Sequence, residues 1–136
     1  MSVDVYSCLV YGFYVNGDDI VHPNFESKDF IRYIIEPNNI DIHDSDAEDE
    51  INECWMEYIY DNEYVIQENG YIGEQDSKWY VGIPICYEGI VRMEKITSLD
   101  IQDEAAAYDA LYDIVGKAAF NQEKYQIHLY LVTLWH

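Results

Sequence analysis

The sequence predicts an α+β fold: a mainly antiparallel sheet of about four strands with two or three helices on one face, in the order β-α-α-β-β-α-β. Runs rich in β-branched and aromatic residues predict the strands, and apolar residues at three- and four-residue spacing predict the helices. Asn, Gly, Asp and Pro mark the turns between them. At 136 residues the chain is expected to form one domain, 1–136, long enough to bury a real core.

The first strand is expected in VDVYSCLVYGFYV, residues 3 to 15, ended by Asn16-Gly17-Asp18-Asp19. FESKDFIRYIIEP predicts a short helix stopped before Pro37, with Phe30, Ile31 and Ile34 on its apolar face. NNIDIHD reads as a loop. Ser45 and Glu48 fit a capping box that opens a second helix reaching about Tyr60. EYVIQENGYIGE and SKWYVGIPICYE predict two strands, with a tight turn at Asn69-Gly70. Pro84, lacking an N–H, suits an edge position or a bulge. SLDIQDEAAAYDALYDIVGKAAF predicts the longest helix, with Ala107, Ala110, Leu111, Ile114 and Ala118 on one face and Lys117 near its end. KYQIHLYLVTLWH predicts a last strand, apolar on both faces and suited to the sheet interior. The whole order resembles a split β-α-β unit with an extra helix.

Composition bounds the function. The net charge is −20, yet 14 Tyr, 4 Phe and 3 Trp set the chain apart from disordered acidic segments, which are poor in aromatics. Residues 33 to 77 hold 14 acidic side chains and no Lys or Arg, a net of −14, while the remainder carries −6. No basic patch is present, so direct binding of DNA or RNA is not expected. Anionic membranes repel such a chain, and no apolar run approaches the length of a span. The opening MSVDVYSCLVYGFYVNGDD carries Asp4 and no basic leader, so a secretory signal is not expected and the cytoplasm is the expected location. Cys8, Cys54 and Cys86 are scattered, without a CxxC pair, and read as buried reduced thiols.

No catalytic motif is present, and the protein is read as a non-enzyme. Counting a calcium-binding EF-hand loop from Asp44 places Asp49 where Gly is required and Trp55 where Glu is required. His22, His43, His128 and His136 have no HxxxH or HExxH relation, so no zinc site is expected and no cofactor is implied. His128 reads as a core or sheet-face residue. No GxxxxGK[ST] phosphate cradle occurs.

The informative segment is residues 41 to 64, DIHDSDAEDEINECWMEYIYDNEY. On a helix, Ile51, Cys54, Trp55, Tyr58 and Ile59 form one stripe. Asp46, Glu50, Glu53, Glu57 and Asp61 form another, at intervals of four, three, four and four. Successive carboxylates then lie roughly 5–6 Å apart along the axis. The plain reading is a solvated face, but solvated faces mix both signs, and like charges at i, i+4 destabilise a helix. The functional reading is a rigid row of phosphate surrogates, with Asp44 and Asp49 at the rim and Tyr60, Tyr64 and Tyr71 supplying aromatic contact.

In its composition and in this ridge, the chain resembles the small acidic DNA-mimic inhibitors that phages and mobile elements encode against host defences, of the anti-restriction and anti-CRISPR kind. That resemblance implies a partner with a basic nucleic-acid-binding surface, a nuclease or a CRISPR or restriction component, met in the host cytoplasm. The alternative is a homo-oligomeric assembly protein, a homodimer through a sheet edge or aromatic surface, whose acids serve solubility alone.

Overall fold

β1 (Val5–Val15) runs through the middle of the sheet, burying Val10 on one face and Phe13 and Val15 on the other. The computed structural model describes residues 5–68, 78–87, 90–91 and 101–135. After β1 come a short α1 (Gly17–Ile20) and α2 (Lys28–Phe30), which continues as a π-helical turn over Ile31–Ile35. A 3₁₀ turn (Ser45–Ala47) leads into α3 (Glu48–Asp61). β2 (Val65–Glu68), β3 (Lys78–Pro84), β4 (Cys86–Tyr87) and β5 (Ile90–Val91) follow. The chain then forms α4 (Ile101–Val115), a second 3₁₀ turn (Gly116–Phe120) and β6 (His128–Trp135). Among the described residues no helix is long and apolar enough to cross a membrane.

The sheet order is β2-β3-β1-β6, and every pairing is antiparallel. The connection from β1 to β2 skips over β3, and that from β3 to β6 skips over β1. This is the split β-α-β arrangement, with β4 and β5 forming a separate two-stranded pair. Alternation along the strands divides two clusters. Phe13 and Val15 of β1, with Trp79 and Val81 of β3, meet Ile51, Trp55 and Ile59 of α3 and Ala107, Leu111 and Ile114 of α4. On the opposite face Val10, Tyr80 and Val132 pack with Ile66 and Tyr130.

The second cluster depends on a close approach of two backbones. Gly12 and Gly82 are register partners. A Cβ on Gly12 would sit 2.2 Å from the Val81 carbonyl oxygen, and one on Gly82 2.4 Å from that of Tyr11. Strands spaced about 4.8 Å apart put the two ends of a flat four-stranded sheet roughly 14 Å apart. Yet Cα atoms of β2 and β6 come within 8 Å of one another. The sheet therefore coils toward its outer face, around Tyr80 and Tyr130, whose rings lie 5.2 Å apart.

Several sequence expectations are corrected. β6 lies at the sheet edge, not its interior. Its two apolar faces reflect the outer cluster on one side and exposed Leu129 and Leu131 on the other. Pro84 ends an interior strand: β2 pairing stops at Val65 opposite Val81, so no neighbour needs the missing N–H. The first turn before α3 is capped by Asp44, whose side chain accepts from the Asp46 N–H at 3.0 Å, and Ser45 forms no capping box. In α2 the bond from Glu36 N–H to the Ile31 carbonyl widens the turn. Ile35 thereby joins Phe30 in the core, while Ile31 and Ile34 stay half-buried. After Gly116, at φ +68°, the chain tightens to three residues per turn. Ala119 then occupies the buried position expected of Ala118. The expected Asn69-Gly70 turn lies outside the described residues.

Replacing Gly12 by Ala is expected to lower stability by about 1–3 kcal/mol or more, because backbone rather than a flexible side chain blocks the new methyl. Urea unfolding followed by circular dichroism measures this. A midpoint equal to that of the unaltered protein would show that the two backbones are free to separate.

Trp55 is fully buried, and its Nε1–H donates to the Ile20 carbonyl at 2.7 Å. Trp55→Ala is expected to cost about 3–5 kcal/mol. Trp55→Phe should cost less while still leaving that carbonyl without its partner. A Trp55→Ala loss below about 1 kcal/mol in the same measurement would contradict this packing.

Candidate functional site

The acidic ridge stands on α3, which forms where Asp44 supplies a cap and Glu48, Asp49 and Glu50 meet the positive end of the helix dipole. Ile51, Trp55 and Ile59 turn inward, with Cys54 and Tyr58 half-buried beside them. At 3.6 residues per turn, Glu50, Glu53, Glu57 and Asp61 fall within an arc of about 80° on the side away from Trp55, while Asp46, expected on the helix, lies in the 3₁₀ turn that precedes it. All five are exposed, as are Asp44 and Asp49. Ion pairs join Lys117 to Glu26 at 3.7 Å and Lys124 to Asp19 at 2.8 Å, and no ridge carboxylate pairs with a cation among the described residues. The last turn of α3 contains no basic side chain, so Glu57 and Asp61 lie at the negative end of the dipole uncompensated.

Of the three tyrosines of the predicted site, the two that are described are differently held. Tyr60 is 62% exposed, and its ring tilts against that of Trp79 at 5.9 Å. Tyr64 follows the helix, 40% exposed, its N–H donating to Asn62 Oδ1 at 2.9 Å. The adjacent Glu63 charge raises the Tyr64 pKa. Tyr71 lies outside the described residues.

The sequence did not single out what anchors this helix. The Asp113 carboxylate on α4 accepts from the Ser27 hydroxyl through one oxygen and from the Tyr58 hydroxyl through the other. Ser27 Oγ also accepts from the Phe30 N–H at 3.2 Å and so caps α2. Asn24 Nδ2 donates to the carbonyls of Tyr112 and Asp113 at 2.9 and 2.8 Å. One carboxylate thus joins α2, α3 and α4. Burial, reinforced by the bond to Asp113, raises the Tyr58 pKa far above its ordinary value. A raised tyrosine pKa contributes stability below the unfolded value near pH 10, and that contribution disappears as pH climbs through the folded value. Ser27 at the head of Lys28-Asp29-Phe30 was a legible cap signal, but its partner 86 residues away was not.

Cys54 reports the field of the ridge. Its thiol is half-buried, unlike the fully buried thiols expected. Burial raises its pKa first, and the charges of Glu57, Glu50 and Glu53 raise it further. The side chains of Cys8 and Cys86 lie outside the described ones. Among the described residues no group of three or more His, Cys, Asp or Glu is arranged to hold a metal ion.

Changing Glu50, Glu53 and Glu57 together to Gln is expected to lower the Cys54 pKa, because three charges that disfavour the thiolate are gone. Alkylation of the Cys54 peptide at several pH values, read by mass spectrometry, measures the shift. The thermal midpoint should hold or rise, most at low salt. An unchanged alkylation profile would mean that solvent screens the ridge completely.

No known protein family, curated protein or solved structure matches the chain.

Proposed function

We propose that the protein is a non-enzymatic inhibitor. It lays the α3 ridge on a basic nucleic-acid-binding surface of a host defence protein or nuclease, in the host cytoplasm, its carboxylates standing in for phosphates. The observation that carries this reading is an unbroken exposed row of one sign on a helix fastened from within. The five ridge carboxylates from Asp46 to Asp61 span about 23 Å at helical rise, one per roughly 5–6 Å. The lysines and arginines that grip a phosphate backbone meet a regular row of negative charge here. Asp44 and Asp49 widen the row at its start, while Tyr60 and Tyr64 add aromatic surface at its end. A net charge of −20 also speeds encounter with a basic cleft, an effect that salt diminishes.

The runner-up is a homo-oligomer whose acids serve solubility alone. It is favoured by β6, an edge strand with Leu131 65% exposed, since long apolar edges tend to pair. A mass measurement in solution separates the two, with a monomer removing this second reading.

The inhibitor reading is tested on a partner captured at low salt and identified. The protein itself should not retard DNA or RNA in a gel. Its complex should weaken steeply with salt and dissociate when competing duplex DNA is added. Glu50→Gln, Glu53→Gln and Glu57→Gln together should weaken binding about tenfold or more, with the loss smaller at high salt. Full-strength binding by this triple variant, or a partner without a nucleic-acid surface, would sink the proposal.

A further inference from the structure

We propose that the open groove between the start of α2, the C-terminal end of α3 and α4 receives the guanidinium of an arginine side chain from the partner. This extends the inhibitor reading and rests on it for the identity of the arginine's owner. The groove has a volume of about 610 Å³, within the range of ligand-binding clefts. Ala106 and Ala110, one turn apart on α4, leave it open. Glu26, Asp29, Glu63, Asp109 and Asp113 contribute carboxylates, Glu26 being already paired with Lys117, and Lys28 is the one basic side chain among the described lining residues. Tyr58, Tyr64 and Tyr112 contribute aromatic surface.

Three features point independently to a flat cation. Asp113 is held in place by two hydroxyl donors and has no cationic partner among the described residues. A carboxylate carries about four acceptor positions, so two bonds leave capacity for more. Asn62, Glu63 and Tyr64 place the groove at the C-terminal end of α3, whose last turn lacks a basic residue. The negative end of that dipole favours a positive charge. Tyrosine side chains beside carboxylates suit guanidinium better than ammonium, because the planar group packs on aromatic surface and donates through a fork while an ammonium stays hydrated. Tyr64 belongs to the groove and follows the ridge in sequence, so one partner surface can engage both.

The test uses N-acetyl-arginine methylamide as probe, followed by ¹H–¹⁵N NMR on the intact chain. Lysine and neutral citrulline analogues serve as comparators. Saturable shifts centred on Asn62, Tyr64 and Ala110 are expected, stronger for arginine than for lysine and absent for citrulline. Ala106→Leu with Asp109→Asn, which fills the groove and removes a charge at exposed helix positions, should weaken the probe at least about tenfold. The Gln triple variant of the ridge should change it by no more than about twofold. Equal shifts with citrulline, shifts spread evenly along the acids, or indifference to the groove variant would each overturn the proposal. Arginine binding here with partner binding untouched by the ridge variant would leave the groove standing and remove phosphate mimicry. A silent groove with a ridge-dependent partner would do the reverse.

Discussion

The structure is organised around the burial of Trp55. Among the described residues it is the largest fully buried side chain, it stacks edge-on against Phe30 at 5.0 Å, and it satisfies the Ile20 carbonyl through its indole N–H. One residue on α3 thereby fixes the helix against α1, α2 and the sheet. Indole gives this arrangement its specificity: its area drives burial without direction, and its single donor permits one orientation. The ridge on the far side of the helix is held in place by that orientation.

Polar groups that enter the interior are hydrogen-bonded there, as Asn24 and Ser27 are. The helix-facing core contains Phe, Ile, Leu, Val and Trp. Among the described residues no buried side-chain nitrogen or oxygen lacks a hydrogen-bond partner. Outside, α3 carries carboxylates that repel one another along its length. Apolar burial supplies the favourable free energy that a one-sign surface removes, so the charge is tolerated rather than stabilising. Like Asp19, which the Tyr125 hydroxyl secures, Asp113 is a carboxylate drawn inward and secured by the hydroxyls of Ser27 and Tyr58. Its placement turns a single charge into a junction between three helices.

The two regions to which we assign binding differ in shape and in chemistry. The ridge is convex and carboxylate-rich, suited to diffuse contact with many cations and sensitive to salt. The groove is concave and mixes aromatic with acidic groups, which suits one side chain held at short range. They meet at the C-terminal end of α3, where the helix dipole, Glu57, Asp61 and Glu63 are all negative and the helix's own last turn contains no base. A basic partner approaching that end encounters long-range attraction first and shape second.

The amino-acid sequence by itself determined the α+β class, the order of the main elements and the two stripes of α3. Each follows from local periodicity: a strand alternates every two residues and a helix repeats every 3.6, whatever lies beside them. It also placed Glu50, Glu53, Glu57 and Asp61 on one exposed helical face, because charge and helical spacing suffice for that, whereas Asp46 falls in the 3₁₀ turn before the helix. Tertiary structure alone decided the rest. β6 reads as an interior strand, yet lies at the edge because β1 and β3 occupy the centre. Gly12 and Gly82 stand far apart along the chain, and only strand register reveals that neither can bear a side chain. Ser27, Tyr58 and Asp113 meet through bonds spanning 86 and 55 residues. The groove above them exists only once three helices have packed. Such pairings depend on which surfaces come together, and no local spacing encodes that.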